Sequence, residues 1–348
     1  MSARMKDIAR DLGVSLMTVS KALRSHSDIS EETKRRVLKR ARELNYRPNW
    51  IARSLVTRRT YMVGLIIPDL MHSFFAEVAK GIARKFEPLG YQIVISNSDE
   101  NPDAELRELE VLMDRSVDGI IIAAAQANVR GELFNTLESR KIPYVLIDRL
   151  PAGFEGHFVG VKDEEIGMMA TEHLIDQGCR RIAHLRGPAN SAGIGRLRGY
   201  RRALAKHQLD AIGEYVVSGQ HEDSTGYEAM RKLLRVSPRP DGVFCYNDPV
   251  AAGALKAILE AGLKVPDDIA VIGAGNVHYS DLLRVPLSTI DQSSLLIGES
   301  AADLLLQCIE AKKPVPAQRI LIPLRLMVRE SSKRKSNSNY LDSNTATP

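Results

Sequence analysis

Ser15, Leu16, Met17, Thr18, Ser20, Lys21 and Arg24 fall within ten consecutive residues. Their side chains suit contact with a nucleic-acid duplex. Hydroxyls bond base edges or phosphates, apolar groups pack on a thymine methyl, and cations neutralise phosphate. At about 100° per residue, Leu16, Met17, Ser20, Lys21 and Arg24 occupy one arc of a helix, while Thr18, Val19, Ala22 and Leu23 occupy the other side. The first arc is free to read a groove if the second is held against a core.

The preceding residues supply that core. Ile8, Ala9 and Leu12 recur at helical spacing. Gly13 follows where a helix end favours positive φ, and Ser15 is placed to cap the next helix. A short helix, a Gly-containing turn and a second short helix form the helix-turn-helix unit, whose second helix enters the major groove. A third helix is predicted with Ser30 as its cap, Glu31 and Glu32 in its first turn, and Val37, Leu38, Ala41 and Leu44 as its buried stripe. Pro48 ends it, because proline biases Arg47 away from helical backbone. An amphipathic hairpin with a solvated basic face would show the same periodicity, and charge separates the two readings. Residues 1–60 hold fifteen Lys or Arg against six Asp or Glu, a net +9 in a chain that totals +5. A basic head on an acidic body points to phosphate for the head alone.

Downstream, continuous apolar runs alternate with helical patterns. Strands are expected at 62–67, 92–96, 119–123 and 144–148, with helices at 74–89 and 104–115 and another ending near Arg140. The pattern then restarts with helices at 164–177, 195–207, 224–234 and 249–261, and strands at 181–185, 215–218, 242–246 and 269–273. Such alternation argues for parallel sheets covered on both faces, in two similar lobes. Chain crossovers are expected near 159–163, 288–292 and 322–325, with helix 294–311 returning to the first lobe. Ligands in these sheets bind beyond the carboxyl ends of strands. That rule selects Ser73 and Phe74 after the first strand, Asp148 and Arg149 after the fourth, and Asn247 with Asp248 after Tyr246, although either Asp148 or Asp248 could simply cap a helix.

Other classes fit less well. Gly273-Ala274-Gly275 follows a strand but lacks the third glycine of a dinucleotide fingerprint. No nucleophile elbow, metal cluster or phosphate-binding loop occurs, so neither an enzyme nor a cofactor is expected. The N-terminus is polar and basic without an export signal, and no run of about eighteen apolar residues spans a membrane. Cys179, Cys245 and Cys308 are isolated and odd in number, which suits reduced, buried thiols in the cytoplasm. A transport-type binding protein and an NAD-linked enzyme fused to a DNA-binding head are the alternatives.

The run Tyr46-Arg47-Pro48-Asn49-Trp50-Ile51-Ala52-Arg53-Ser54-Leu55, placed after the helix-turn-helix, resembles the lactose-repressor (LacI/GalR) family of bacterial transcription factors. The similarity extends from residue 5 to about 330. It implies an α/β fold class in which an all-α helix-turn-helix head and a hinge helix precede a two-lobed periplasmic-binding-protein-like body with parallel sheets. The divisions are 1–46 for the head, 47–60 for hinge and linker, 61–330 for the effector-binding and dimerisation body, and 331–348 for a disordered polar tail. The implied partners are a double-stranded DNA operator, a second copy of the chain and a small-molecule effector, with no membrane. A hinge of about seven residues is too short to hold alone in water, so it orders when paired on DNA. Asn49 would contact the DNA, Ala52 would sit against the minor-groove floor, Arg53 would reach a phosphate, and Leu55 would wedge open a central base step of a palindrome. Arg196 matches the family's ligand-facing arginine. Two departures bear on the ligand. Gly275 stands where sugar-binding members carry Asp, leaving Asn276 as a neutral substitute, and Lys162 also stands where Asp is common. These departures tell against an ordinary neutral sugar, and with Arg149 and Arg196 nearby an anionic or phosphorylated ligand is favoured within the range of sugar, sugar acid or phosphorylated metabolite.

Overall fold

The computed structural model describes residues 4–23, 27–46 and 59–334. Arg24, Asn49, Ala52, Arg53 and Leu55 lie outside the described residues. The chain divides into two compact units, one ending at Thr60 and the other starting at Tyr61.

The first unit holds α1 (Met5–Leu12), α2 (Leu16–Leu23) and α3 (Glu31–Glu43). Ile8, Val19, Ala22 and Val37 are fully buried at its centre, with Leu12 and Leu44 packed against them. Arg40 clamps α3 to α1 through two bonds to Asp11 Oδ2, at 3.0 and 2.7 Å. Leu38, expected in the buried stripe, is exposed. Val37 takes the inward position, and the next residue turns about 100° away.

The second unit has two lobes. The N-lobe carries β1 (Met62–Ile67), α4 (Ser73–Phe86), β2 (Gln92–Asn97), α5 (Pro102–Asp114), β3 (Gly119–Ile122), α6 (Glu132–Arg140), β4 (Tyr144–Ile147) and β5 (Phe158–Gly160). The C-lobe carries α7 (Asp163–Asp176), β6 (Ile182–Arg186), α8 (Ser191–Lys206), β7 (Val216–Ser218), α9 (Asp223–Leu233), β8 (Gly242–Cys245), α10 (Asp248–Glu260), β9 (Ala270–Gly275) and β10 (Ser288–Asp291). Helix α11 (Ser294–Glu310) then packs on α4 in the N-lobe, β11 (Arg319–Leu321) joins the N-lobe sheet, and β12 (Arg325–Met327) joins the C-lobe sheet. The sheet orders are β11-β5-β4-β3-β1-β2 and β12-β10-β9-β8-β6-β7. Every pairing is parallel except β10 with β12. The three passages between lobes therefore follow β5, β10 and β11.

Three helix pairs close through reciprocal glycines. A Cβ on Gly81 of α4 would stand 2.2 Å from Leu295 O of α11, and one on Gly298 would stand 2.1 Å from Val78 O. Gly167 and Gly199 do the same for α7 and α8, and Gly226 and Gly253 for α9 and α10, each at 1.9–2.3 Å from a backbone oxygen. Only hydrogen fits at these six positions, so the helix backbones nearly touch.

Two boundaries differ from expectation in ways that matter. Helix α8 begins at Ser191 rather than Gly195, because Asn190 Oδ1 accepts from Gly193 N at 2.9 Å and caps it four residues earlier. The segment from Ser331 is packed rather than disordered as far as Arg334. Ser331 and Ser332 are fully buried. Ser331 Oγ bridges Val271 O and Ser288 N at 2.7 and 2.8 Å, and Ser332 Oγ meets His173 Nε2 at 2.6 Å. Polar composition suggested a solvated tail, but the Ser331 hydroxyl satisfies buried backbone groups at strand ends and the Ser332 hydroxyl satisfies the buried side chains of His173 and Ser288.

Candidate functional sites: a helix-turn-helix face and an interlobe cleft

The turn of the first unit is built as its residue types require. Gly13 has φ 64° and its N–H closes onto Arg10 O at 3.3 Å. Ser15 Oγ accepts from Thr18 N at 3.0 Å, capping α2. With Val19 and Ala22 buried, Leu16 and Met17 project outward at 50% and 64% exposure. Ser20, Lys21 and Thr18 are half-buried, and Lys21 Nζ pairs with Asp28. This face offers two apolar tips beside a cation and hydroxyls. That suits apolar contact with a thymine methyl better than a bidentate bond to a purine.

The second site is the cleft between the lobes, where strand ends from both sheets converge. Phe74, Asp148 and Arg149 line it from the N-lobe, and Arg196 and Asn247 from the C-lobe. Two predicted residues stand elsewhere. Ser73 sits in the first turn of α4 but does not line the cleft. Asn276 turns away, its Oδ1 accepting from Arg329 Nη2 at 2.7 Å. Lys162 likewise points outward to Glu165 at 2.8 Å. Asp248 is fully buried beneath the site. It accepts from Thr289 Oγ1, Ser280 Oγ and Val277 N at 2.6, 2.7 and 3.0 Å. Among the lining residues that sequence reasoning did not select are His72, Glu100, Tyr246 and Gln292. His72 adjoins the selected pair, and Tyr246 ends a recognised strand, so the signal was present. Gln292 follows β10, which read as a crossover, and Glu100 follows β2, whose end the carboxyl-end rule also covers.

Each arginine is held in a polar frame. Arg196 donates from Nε to Asp163 Oδ1 at 3.0 Å, from Nη1 to Tyr246 O at 2.6 Å and from Nη2 to Gln292 Oε1 at 3.2 Å. Its guanidinium also lies 4.6 Å from the centre of the Tyr246 ring. Burial opposes the charge of Arg196, but Asp163, Tyr246 and Asp148 together more than offset it and raise the pKa. Burial in turn lifts Asp163 to about 6, against the pull of Arg196. Arg149 donates from Nη1 to Glu100 Oε2 at 2.6 Å. Asp148, in left-handed backbone at φ 60°, places Oδ2 3.6 Å from Arg149 Nε. Burial raises the Asp148 pKa, and the two arginines work against that rise. A non-glycine residue in this conformation is held there by its surroundings.

Direct bonds join the lobes around the cleft. Asn247 uses Oδ1 to cap α10 through Val250 N at 2.9 Å, which turns its Nδ2 toward His72 Nε2 at 3.0 Å. Leu150 N donates to Ser191 Oγ at 2.9 Å, and His278 N donates to Glu77 Oε1 at 3.0 Å. Burial, with the charges of His221 and both arginines, depresses His72 to about 3, so its ring is neutral. A neutral imidazole accepts at one nitrogen only. The contact with Asn247 therefore competes with the 3.3 Å cap that Phe74 N makes to His72 Nδ1. The space left inside is about 30 Å³, enough for about one water. A larger molecule enters only when the lobes part.

A helix-turn-helix unit and a two-lobed α/β body with a polar cleft, in one chain, make up a ligand-responsive DNA-binding regulator. Comparison with known proteins agrees. Residues 4–49 match the description "Bacterial regulatory proteins, lacI family", and residues 171–332 match "Periplasmic binding protein-like domain". The chain is 34% identical over 335 residues to a ribose operon repressor of Halalkalibacterium halodurans, covering 96% of this chain and 98% of the relative. The lac repressor dimer bound to operator and the anti-inducer ONPF superimposes with a TM-score of 0.82 at 26% identity, over 95% of this chain and 99% of that one. A complex of the transcriptional regulator CelR with cellobiose gives a TM-score of 0.70 at 30% identity, over 94% and 99%. The chain belongs to the lacI family of bacterial regulatory proteins. Among the described residues no helix is long and apolar enough to cross a membrane.

Proposed function

We propose that this chain is a transcriptional repressor that binds a palindromic DNA operator as a homodimer and alters its grip when a small-molecule effector occupies the interlobe cleft. It acts in the cytoplasm and without catalysis. The observation that carries this reading is the pairing, in one chain, of an outward Leu16–Met17 face on α2 with a cleft lined from both lobes. Residues 1–46 read DNA, 47–60 form the hinge, and the body from 61 onward binds effector and partner. Ser15, Leu16, Met17, Thr18, Ser20, Lys21 and Arg24 serve the major groove, and Asn49, Ala52, Arg53 and Leu55 the minor groove. Phe74, Asp148, Arg149, Arg196 and Asn247 hold the effector. A ribose operon repressor and a cellobiose complex among the similar proteins favour a sugar as the effector.

In this mechanism the effector changes how the lobes close, because it must displace the His72–Asn247 and Leu150–Ser191 bonds to enter. The change shifts the spacing of the two hinge segments, and with it an order–disorder equilibrium on DNA. Effector and operator are then coupled reciprocally. The test is selection of a duplex from a random pool, followed by anisotropy titration and a screen of sugars for release. A palindromic consensus bound far more tightly than random duplex, and a sugar that changes that affinity, are expected. Equal affinity for consensus and random duplex at every salt concentration would refute the reading. Leu55→Ala is expected to weaken operator binding about tenfold or more without altering effector affinity.

A further inference from the structure

The arginines of the cleft are not free cations. Arg149 meets Glu100 through both terminal nitrogens, Nη1 to Oε2 at 2.6 Å and Nη2 to Oε1 at 2.5 Å. This is the two-pronged geometry by which a guanidinium takes a phosphate or carboxylate. The prongs of Arg149 are therefore already filled from within the chain. Arg149 is 5% exposed and Glu100 23%, so the pair sits at the inner wall of the cleft. Glu100 reaches it from the loop between β2 and α5, where Asp99 and Glu100 both adopt left-handed backbone, at φ 49° and 56°. Around this pair three carboxylates, Asp69, Glu100 and Asp148, face two guanidinium groups, and a fourth carboxylate, Asp163, stands behind Arg196.

An anionic ligand meets two obstacles here. Its negative charge finds both guanidinium groups already paired within the chain, Arg149 with Glu100 and Arg196 with Asp163. To use Arg149 it must also expel Glu100 and leave that carboxylate without its partner in a confined space. A neutral polyol meets neither obstacle, since its hydroxyls can donate to Asp148 and Glu100 while the pair stays intact. We propose that Glu100 is a specificity-determining residue that occupies the anion-binding prongs of Arg149, so that the cleft rejects phosphorylated and carboxylated molecules and takes uncharged polyhydroxylated ones. This deepens the effector reading above and rests on it. It also replaces the wider ligand range that the two arginines suggested in the sequence.

The test uses the full-length protein and inorganic phosphate as the probe, by calorimetric titration at low ionic strength. Glu100→Gln removes the counter-charge at nearly constant shape. It is expected to bind phosphate at least about tenfold more tightly than the wild type. Glu100→Asp, which keeps the charge, should resemble the wild type. The Glu100→Gln, Arg149→Met double variant should lose the gain, which separates the cleft from the basic N-terminal unit. Glu100→Ala stands in if Glu100→Gln fails to fold, as read by melting. Equal phosphate affinity in the wild type and the folded variant, or a gain that persists without Arg149, overturns the proposal. A parallel titration of neutral sugars against operator binding keeps the two readings apart. A phosphate gain with no sugar response sinks the effector role alone, and a sugar response with no phosphate gain sinks the role of Glu100 alone.

Discussion

Glu105 lies fully buried near the inner wall of the cleft, with Oε1 accepting from Ala125 N at 2.7 Å and Oε2 unpartnered. Burial lifts its pKa to about 7, against the backbone bond from Ala125 and the charge of Arg149. The folded protein thus holds this proton at a pH where the unfolded chain has released it. Between about pH 4.5 and pH 7 stability falls as pH rises, by at most about 1.4 kcal/mol per pH unit from this group. Glu105→Gln should abolish that contribution and stabilise the protein at pH 8 by about 1–3 kcal/mol, with little effect near pH 4.5. Urea titrations of both proteins at the two pH values measure it, and identical pH dependence would contradict it. At this scale some residues were legible and others were not. Arg196 was found through the family resemblance, in which it matches a ligand-facing arginine. Glu100 was passed over although it follows β2, because its position at a strand end does not show that its side chain turns inward to an arginine 49 positions away.

Among the elements, the helix pairs depend on what is missing from their glycines. In Gly167→Ala the new methyl would stand 2.0 Å from Arg196 O on α8, and relieving that overlap costs about 1–3 kcal/mol or more. Because Arg196 belongs to the cleft, effector affinity should fall with stability. Gly213→Ala has nothing within 4 Å of its new methyl and should stay within about 0.5 kcal/mol of the wild type. Thermal melts of the two variants decide it, and equal melting temperatures would refute the close-contact account. The segment Ser331–Arg334 yields a second expectation. Ending the chain at Glu330 removes Ser331 and Ser332 from strand ends where they complete buried bonds. Each is worth about 1 kcal/mol, so the loss should reach several kcal/mol. Serines in a polar run resemble a solvated tail, because composition reports solubility and not which backbone groups await a partner.

For the whole molecule, the uneven charge sets how binding responds to salt. With +9 on residues 1–60, operator affinity should fall by orders of magnitude between about 50 and 200 mM salt through counterion release. Sugar affinity in the cleft should barely move over the same range, since no net charge is exchanged for a neutral ligand. Anisotropy and calorimetric titrations across one salt series give both slopes. Parallel slopes would mean that the two activities do not occupy separate surfaces. The closed cleft adds a kinetic expectation: Ser191→Ala removes one interlobe bond and should speed effector association.

Chain-local physics reached far into this protein. Among the described residues periodicity marked every α-helix and most strands, Gly13 and Ser15 announced the turn they build, and the basic head was visible in bare counts. These signals are legible because they act between residues only a few positions apart. The strands β5, β10, β11 and β12 escaped because they lie at the crossovers between lobes, outside the regular alternation of strand and helix, and pair with neighbours that only the fold brings alongside. The pairing of Arg149 with Glu100, the turning of Asn276 toward Arg329, and the bonds that shut the cleft likewise join residues brought together only by the folding of two lobes. Burial and partner choice are properties of that meeting, and they settle which side chains a ligand finds.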